Sequence, residues 1–415
     1  MSRRRTRSSD DLPSLPEVGG PPVFDKCRVL VARVEASRAA DTYCYFRTIE
    51  SAQEPEVVVG GRTLVMLGSN NYLGLSSHPK VKEAAIQAVR RYGTGCAGSR
   101  LLNGTLDLHE VLEEKLAHFV GKPAAVTFST GFQVNLGTIA CLLDRGDVVY
   151  LDKQDHACII DGARLSFAQV RKFAHNDPDD LRRLMAADRS ARGRLVVVDG
   201  VFSMEGDIAA LPDLVKVTRD FQAGLMVDDA HGLGVLGARG RGTTEHFGLE
   251  NEVHLIMGTF SKALASIGGF IAGERSVIDH VRHAARSLMF SAALAPAAAG
   301  AAGAAVDIIE KEPERLDQLW RNARFLKSGL TTLGFQTGHS QTPVIPIIVG
   351  DDDLAFAMTR RLDEEGVFVN PVISPATPPG RALLRTSCMA THTEAHLARA
   401  LDACRRVGRE FGVIP

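Results

Sequence analysis

Val253-His254-Leu255-Ile256-Met257-Gly258-Thr259-Phe260-Ser261-Lys262-Ala263 reads as an apolar strand that delivers a lysine beside two hydroxyls. A lysine after a strand is ordinarily a surface residue. Behind an apolar run the physics changes, because burial disfavours the ammonium and lowers its pKa toward the neutral amine that attacks an aldehyde. Lys262 is read as such an amine, and the residues upstream decide whether the reading stands.

Asp228 ends the strand Gly224-Leu225-Met226-Val227 and is followed by Asp229-Ala230-His231. A carboxylate at that end can pair with a pyridine nitrogen and keep it protonated, which makes the ring an electron sink. An Asp pair there also suits a metal, and an Asp also caps a following helix. His231 fits a ring hydroxyl better than a hard cation site. His156, just beyond the strand Val148-Val149-Tyr150, can stack on a ring face or serve as a loop histidine. In Ser129-Thr130-Gly131-Phe132-Gln133-Val134-Asn135 a strand meets a Gly and then a helix, which points free backbone N–H groups at an anion or makes an ordinary turn. Ser203, after the strand Leu195-Val196-Val197-Val198-Asp199, can reach the ring hydroxyl region or be a polar loop residue. Taken together, the set reads as a pyridoxal phosphate site.

From about Tyr45 to the C-terminus the chain resembles the α-oxoamine synthases, fold-type-I pyridoxal phosphate enzymes. The resemblance is carried by Gly68-Ser69-Asn70-Asn71-Tyr72-Leu73-Gly74-Leu75, Tyr92-Gly93-Thr94-Gly95-Cys96-Ala97-Gly98-Ser99-Arg100, Asp228-Asp229-Ala230-His231-Gly232 and Gly258-Thr259-Phe260-Ser261-Lys262. It implies that Lys262 carries the cofactor and acts as acid and base at the substrate Cα, with Asp228 on the pyridine nitrogen. It further implies that His156 stacks on the ring, that His231 and Ser203 lie at its hydroxyl, and that Gly131, Phe132, Thr259 and Ser261 hold its phosphate. Ser291 resembles a residue lent to the phosphate of the neighbouring subunit, so a homodimer with a shared active site is expected. Arg385 fits the arginine that pairs with the substrate carboxylate through a planar fork, although an arginine there can also be a surface residue. Asn71 and Arg100 are expected beside the substrate, and no metal is expected.

Within the family, Gly200-Val201-Phe202-Ser203-Met204-Glu205-Gly206-Asp207 and Ser374-Pro375-Ala376-Thr377-Pro378 look most like soluble bacterial members. Those members condense L-serine with palmitoyl-CoA, losing CoA and CO2, to give the sphingolipid precursor 3-ketodihydrosphingosine. Some of them place an arginine just before the Pro-Ala-Thr-Pro turn, where Ile373 stands here. The alternative is another member that takes glycine or alanine, or draws its acyl group from an acyl carrier protein. A non-catalytic partner subunit would lack the lysine that is present at 262.

Composition agrees with such an enzyme. The 415 residues are 45% hydrophobic and 23% charged, enough for one large domain and a smaller one. With 48 basic and 49 acidic residues the net charge is −1, so no global field invites nucleic acid. The seven cysteines form no Cys-x-x-Cys pair and are odd in number, which reads as reduced cytosolic thiols. The start, Met1-Ser2-Arg3-Arg4-Arg5-Thr6-Arg7, is basic but leads to no apolar run, so neither a signal peptide nor a membrane span is expected. A solvated tail is the expectation, with contact to anionic lipid at a membrane surface as the alternative.

Short, uniform runs at Ala124, Val148, Leu195, Leu225 and Leu255 alternate with amphipathic segments such as 181–187 and 211–221. The expected fold is α/β, with a mostly parallel sheet, helices on both faces and catalytic groups at the carboxyl ends of the strands. Gly268-Gly269-Phe270-Ile271-Ala272 adds a further strand. The division expected is a disordered tail over 1–22, an N-terminal segment over 23–65, a large cofactor-binding domain over 66–308 and a small α+β domain over 309–415. That last part should hold a helix over 316–333, strands over 344–349, 367–370 and 382–386, and a closing helix from Thr393. The Ala-rich stretch 292–305 should form a closely packed helix at an interface. Gly93-Thr94-Gly95-Cys96-Ala97-Gly98 is literally G-x-G-x-x-G, yet it follows a helical pattern over 81–92 where a dinucleotide site needs a strand.

Overall fold

The computed structural model describes residues 21–415. The proposed tail over 1–22 therefore lies outside the described residues, except for its last two. After a short 3₁₀ turn at Pro22–Phe24 the chain forms α1 (Asp25–Ala39), the hairpin β1 (Glu56–Val59) and β2 (Arg62–Met66), α2 (Pro79–Tyr92) and α3 (Asp107–Phe119). Alternation follows: β3 (Ala124–Phe128), α4 (Gly131–Leu142), β4 (Val148–Asp152), α5 (Ala157–Leu165), β5 (Gln169–Phe173), α6 (Pro178–Ala187), β6 (Arg194–Asp199), α7 (Leu211–Asp220) and β7 (Gly224–Asp228). Next come α8 (Thr243–Phe247), β8 (Leu255–Thr259), β9 (Gly269–Gly273), α9 (Arg275–Ala284), α10 (Arg286–Met289), α11 (Pro296–Lys311) and α12 (Glu314–Thr332). The chain closes with β10 (Val344–Gly350), α13 (Asp352–Glu364), β11 (Val367–Phe368), β12 (Asn370–Val372), β13 (Ala382–Ser387) and α14 (Glu394–Glu410).

The central sheet has seven strands in the order β3-β9-β8-β7-β6-β4-β5. β5, β4, β6, β7 and β8 pair in parallel, and β9 alone runs antiparallel, between β8 and β3. Strands β4, β7 and β8 are buried over most of their length, as uniform Val, Leu, Ile and Met runs require when helices cover both faces. Several helices begin at a side-chain cap. Asp177 caps α6 by accepting the Asp180 N–H, Pro178 opens it, and Leu181 and Met185 bury the same face one turn apart. In α14 the Thr393 hydroxyl and the His396 ring satisfy each other's orphan N–H groups.

Two edges were not legible in the pattern. β5 carries Arg171 and Lys172 and lies at the margin of the sheet, so its apolar content is low. The β1–β2 hairpin turns at Gly60-Gly61, both at positive φ, which only glycine adopts freely. The single strand expected over 367–370 is two strands in different sheets. β11 pairs in parallel with β2, whereas β12 joins β13 at the edge of the β10-β13-β12 sheet. Pro371, which has no N–H to give a ladder, is tolerated at that edge. The Ala-rich helix α11 is buried inside this chain against α2 and α3. A methyl group at Gly300 would stand 2.8 Å from the Ala84 carbonyl oxygen, so glycine is what permits the approach. Gly93 ends helix α2 at φ +82°, and the G-x-G-x-x-G run is a loop after a helix.

Candidate active site

At the carboxyl ends of β6, β7 and β8 a cavity of about 370 Å³ opens. Every residue expected at the cofactor lines it except Ser291. At one end lies the start of α4, where the first N–H groups of a helix have no partner within it. Thr130 caps that helix, its hydroxyl accepting the Gln133 N–H at 3.2 Å. The Thr259 and Ser261 hydroxyls face each other at 2.9 Å, and a methyl group at Gly131 would come within 2.5 Å of Thr259 Oγ1. Only glycine leaves that anion cradle open.

Asp228 stands at the other end, 3% exposed. Its Oδ2 accepts from Asn135 Nδ2 at 2.6 Å and its Oδ1 from the Ala230 N–H at 3.0 Å. Asp199 is its neighbour in register across β6 and β7. Burial, followed by the adjacent Asp228 charge, holds the Asp199 carboxyl well above the usual carboxylate range. Lys262 projects between these ends. Burial lowers its pKa, against the opposing pull of Asp228 and Asp199. His231 Nδ1 lies 2.7 Å from the Tyr72 hydroxyl, and burial with the charges of Lys262 and Arg385 keeps its pKa well below the ordinary value. His156 caps α5, and its backbone N–H donates to Asp199 Oδ2 at 2.8 Å.

These groups fit pyridoxal phosphate. A glycine-cleared helix start with two hydroxyls suits a phosphate, a buried carboxylate suits a protonated ring nitrogen, and an amine of lowered pKa suits an aldehyde. Among the described residues no cluster of His, Cys, Asp and Glu is arranged to hold a metal.

The substrate residues divide. Arg385 lies behind the cavity, its Nε donating to the Ser203 carbonyl at 2.6 Å and its Nη2 to Asn70 Oδ1 at 2.9 Å. Asn71 is buried outside the cavity, its amide donating to the Gln53 carbonyl and its oxygen accepting the Ser76 N–H. Arg100 does not line the cavity. It is turned into the protein, where Nη1 meets Glu113 Oε1 at 2.5 Å and Thr127 Oγ1 at 2.8 Å, so its charge is spent inside the fold. Ser291 lies outside the cavity, accepting from Gln133 Nε2 at 3.0 Å. Sequence reasoning gave no role to Asn135, Cys158 or Asp199. The one signal available was the equal distance of Asp199 and Asp228 from the ends of their strands.

The family model for aminotransferase class I and II matches residues 62–404. A serine palmitoyltransferase from Sphingobacterium spiritivorum is 51% identical over 91% of this chain and 94% of its own. An 8-amino-7-oxononanoate synthase from Symbiobacterium thermophilum is 45% identical over 93% of this chain and 98% of its own. A solved structure described as SPT with PLP internal aldimine matches with TM-score 0.92 at 35% identity, covering 95% of this chain and all of that one. With the motifs, the sheet and the cavity in agreement, the chain belongs to the α-oxoamine synthase family of pyridoxal phosphate enzymes.

Proposed function

We propose that the protein is a serine palmitoyltransferase, which condenses L-serine with a long-chain acyl-CoA, palmitoyl-CoA, to 3-ketodihydrosphingosine, CoA and CO2. The observation that carries this reading is likeness along nearly the whole chain to serine palmitoyltransferases. Pyridoxal phosphate bound in the cavity would supply the electron sink for a carbanion at the amino-acid Cα. The chain's residues do the rest. Asp228, fixed by Asn135 and the Ala230 amide, keeps the ring nitrogen protonated. Thr259, Ser261, Gly131 and Phe132 hold the phosphate, while His231 and Ser203 border the ring hydroxyl. Lys262 carries the cofactor and takes the Cα proton, a task eased by its lowered pKa. His156 covers the ring and offers a hydrogen bond to the substrate carboxylate or a developing oxyanion. Arg385 pairs with the carboxylate. Its Nε and Nη2 are engaged by Ser203, Asn70 and Tyr72, and no hydrogen bond ties Nη1 among the described residues.

We assign the cofactor to a large domain over 66–308, preceded by a segment over 23–65 and followed by a small domain over 309–415. The active site is completed in a homodimer, with Ser291 serving the partner's phosphate, and the enzyme works in the cytoplasm or at a membrane surface. No helix among the described residues is long and apolar enough to cross a membrane.

A second reading, an 8-amino-7-oxononanoate synthase-like or 2-amino-3-ketobutyrate CoA ligase-like activity on glycine or alanine, is favoured by one observation. The chain is nearly as similar to an 8-amino-7-oxononanoate synthase as to the palmitoyltransferases. The test offers labelled serine, glycine and alanine, each with palmitoyl-CoA, to the enzyme and to Lys262→Ala as the inactive control. A long-chain 3-keto amine from serine is expected. Product from glycine alone would overturn the serine assignment.

A further inference from the structure

His156 is gripped from three sides. Beyond the backbone bond to Asp199, its ring Nδ1 lies 3.2 Å from the backbone nitrogen of Cys158 and 2.8 Å from Cys158 Sγ. A backbone N–H only donates, so Nδ1 is an acceptor and carries no proton. A neutral imidazole then carries its single proton on Nε2. Burial, with the Lys262 charge beside it, lowers the pKa of His156 against the pull of Asp228, in keeping with a neutral ring.

The thiol has its own orientation. Asn135 Nδ2 is 3.0 Å from Cys158 Sγ and 2.6 Å from Asp228 Oδ2, so its two protons serve the sulfur and the carboxylate. Turning that amide round would set its oxygen against a carboxylate. The fold instead leaves Asn135 Oδ1 buried without a hydrogen-bond partner. With Sγ accepting from Asn135, the S–H is left to donate to His156 Nδ1. Cys158 is 3% exposed, and burial pushes its thiol pKa up, so the S–H persists.

We propose that Cys158 is a positioning residue, whose S–H joins its own backbone N–H at Nδ1 to hold His156 as the neutral Nε2–H tautomer and keeps that N–H as the donor offered to the reacting amino acid. Asn135 ties the same lock to Asp228, so the group at the ring nitrogen and the group over the ring face share one hydrogen-bond chain. The proposal rests on the cofactor reading of the cavity, and its test includes a readout that does not depend on turnover.

The holoenzyme is labelled with 15N-histidine, and long-range nitrogen–proton correlations are recorded, with His156→Asn to assign the ring. Wild type should show Nδ1 unprotonated and Nε2 protonated. Cys158→Ala keeps the backbone N–H at 3.2 Å but loses the S–H at 2.8 Å, so the Nδ1 resonance should shift with a minor Nδ1–H population appearing, and the condensation rate should fall about tenfold, the worth of one hydrogen bond. Cys158→Ser, which keeps a donor, should restore both. A protonated Nδ1 in wild type overturns the proposal, even if the alanine variant fails to fold. So does a Cys158→Ala enzyme with the wild-type spectrum and rate. If serine is not condensed at all, the proposed function fails while the spectrum still decides the tautomer.

Discussion

Arg100 belongs to a recognisable signature segment and serves a purpose the segment does not advertise. Its guanidinium and Glu113 are 7% and 3% exposed, and Arg282 reaches the same carboxylate at 2.8 Å. Removing Arg100 would leave the buried Glu113 carboxylate with Arg282 and the Thr127 N–H and hydroxyl as its partners. Arg100→Ala should therefore lose roughly 1.5–3 kcal/mol of stability, the worth of a hydrogen bond to a charged group, read from denaturant unfolding; a change under about 1 kcal/mol would show that the pair is in effect solvated. The Asp228-Asp229 pair divides in the same spirit. Asp228 faces the cavity, whereas Asp229 is fully buried, accepts from the Thr243 N–H and hydroxyl at the start of α8, and has its pKa pushed up to about 7 by burial. At this strand end Asp229 is thus tied to the start of α8, and Asp228 is left facing the cavity, where the proposed cofactor would lie. The cavity-lining residues were legible because the chemistry proposed for them demands particular side chains at the ends of strands. Cys158, Asn135 and Asp199 were not, because their importance arises from neighbours brought together by separate elements.

His175 links elements that no local pattern connects. Its Nδ1 meets Asp152 at the end of β4 and its Nε2 meets Asp207 beyond β6, each at 2.9 Å. Burial alone would lower its pKa, yet the hydrogen bonds to the two carboxylates prevail and raise it to about 9 from 6.5. The folded state therefore holds this proton more tightly than the unfolded chain. That contribution is whole below pH 6.5 and is lost as pH climbs through about 9. The Tm of wild type should fall across this window relative to His175→Asn, and parallel Tm profiles would refute the link. The same scale explains which elements the sequence displayed. Uniform runs such as β7 and amphipathic helices such as α6 carry their own signatures. β5, with charges on a sheet edge, does not. Nor could a local pattern reveal that Phe368 and Asn370 pair with strands in different sheets, since that division depends on β2, far back in the chain.

For the whole molecule, the homodimer we propose would set a second copy against the cavity. Phe132, Phe290 and Leu102 are 44%, 73% and 79% exposed in the single chain, around the loop that carries Ser291. Light scattering should report twice the 44.6 kDa of one chain, and dilution to the point of dissociation should abolish condensation. A fully active species of single-chain mass would remove the proposed role of Ser291. The chain's ends meet in another way as well. β2 receives its parallel neighbour β11, and the Val65 and Leu67 amides donate to Gly366 and Phe368 carbonyls at 2.8 and 2.9 Å. During synthesis the β1–β2 hairpin leaves the ribosome early, while its neighbour emerges only after the entire seven-stranded sheet. Throughout that interval one flank of β2 stays unzipped, so a nascent polypeptide stalled before Val367 exposes an adhesive edge that chaperones must guard.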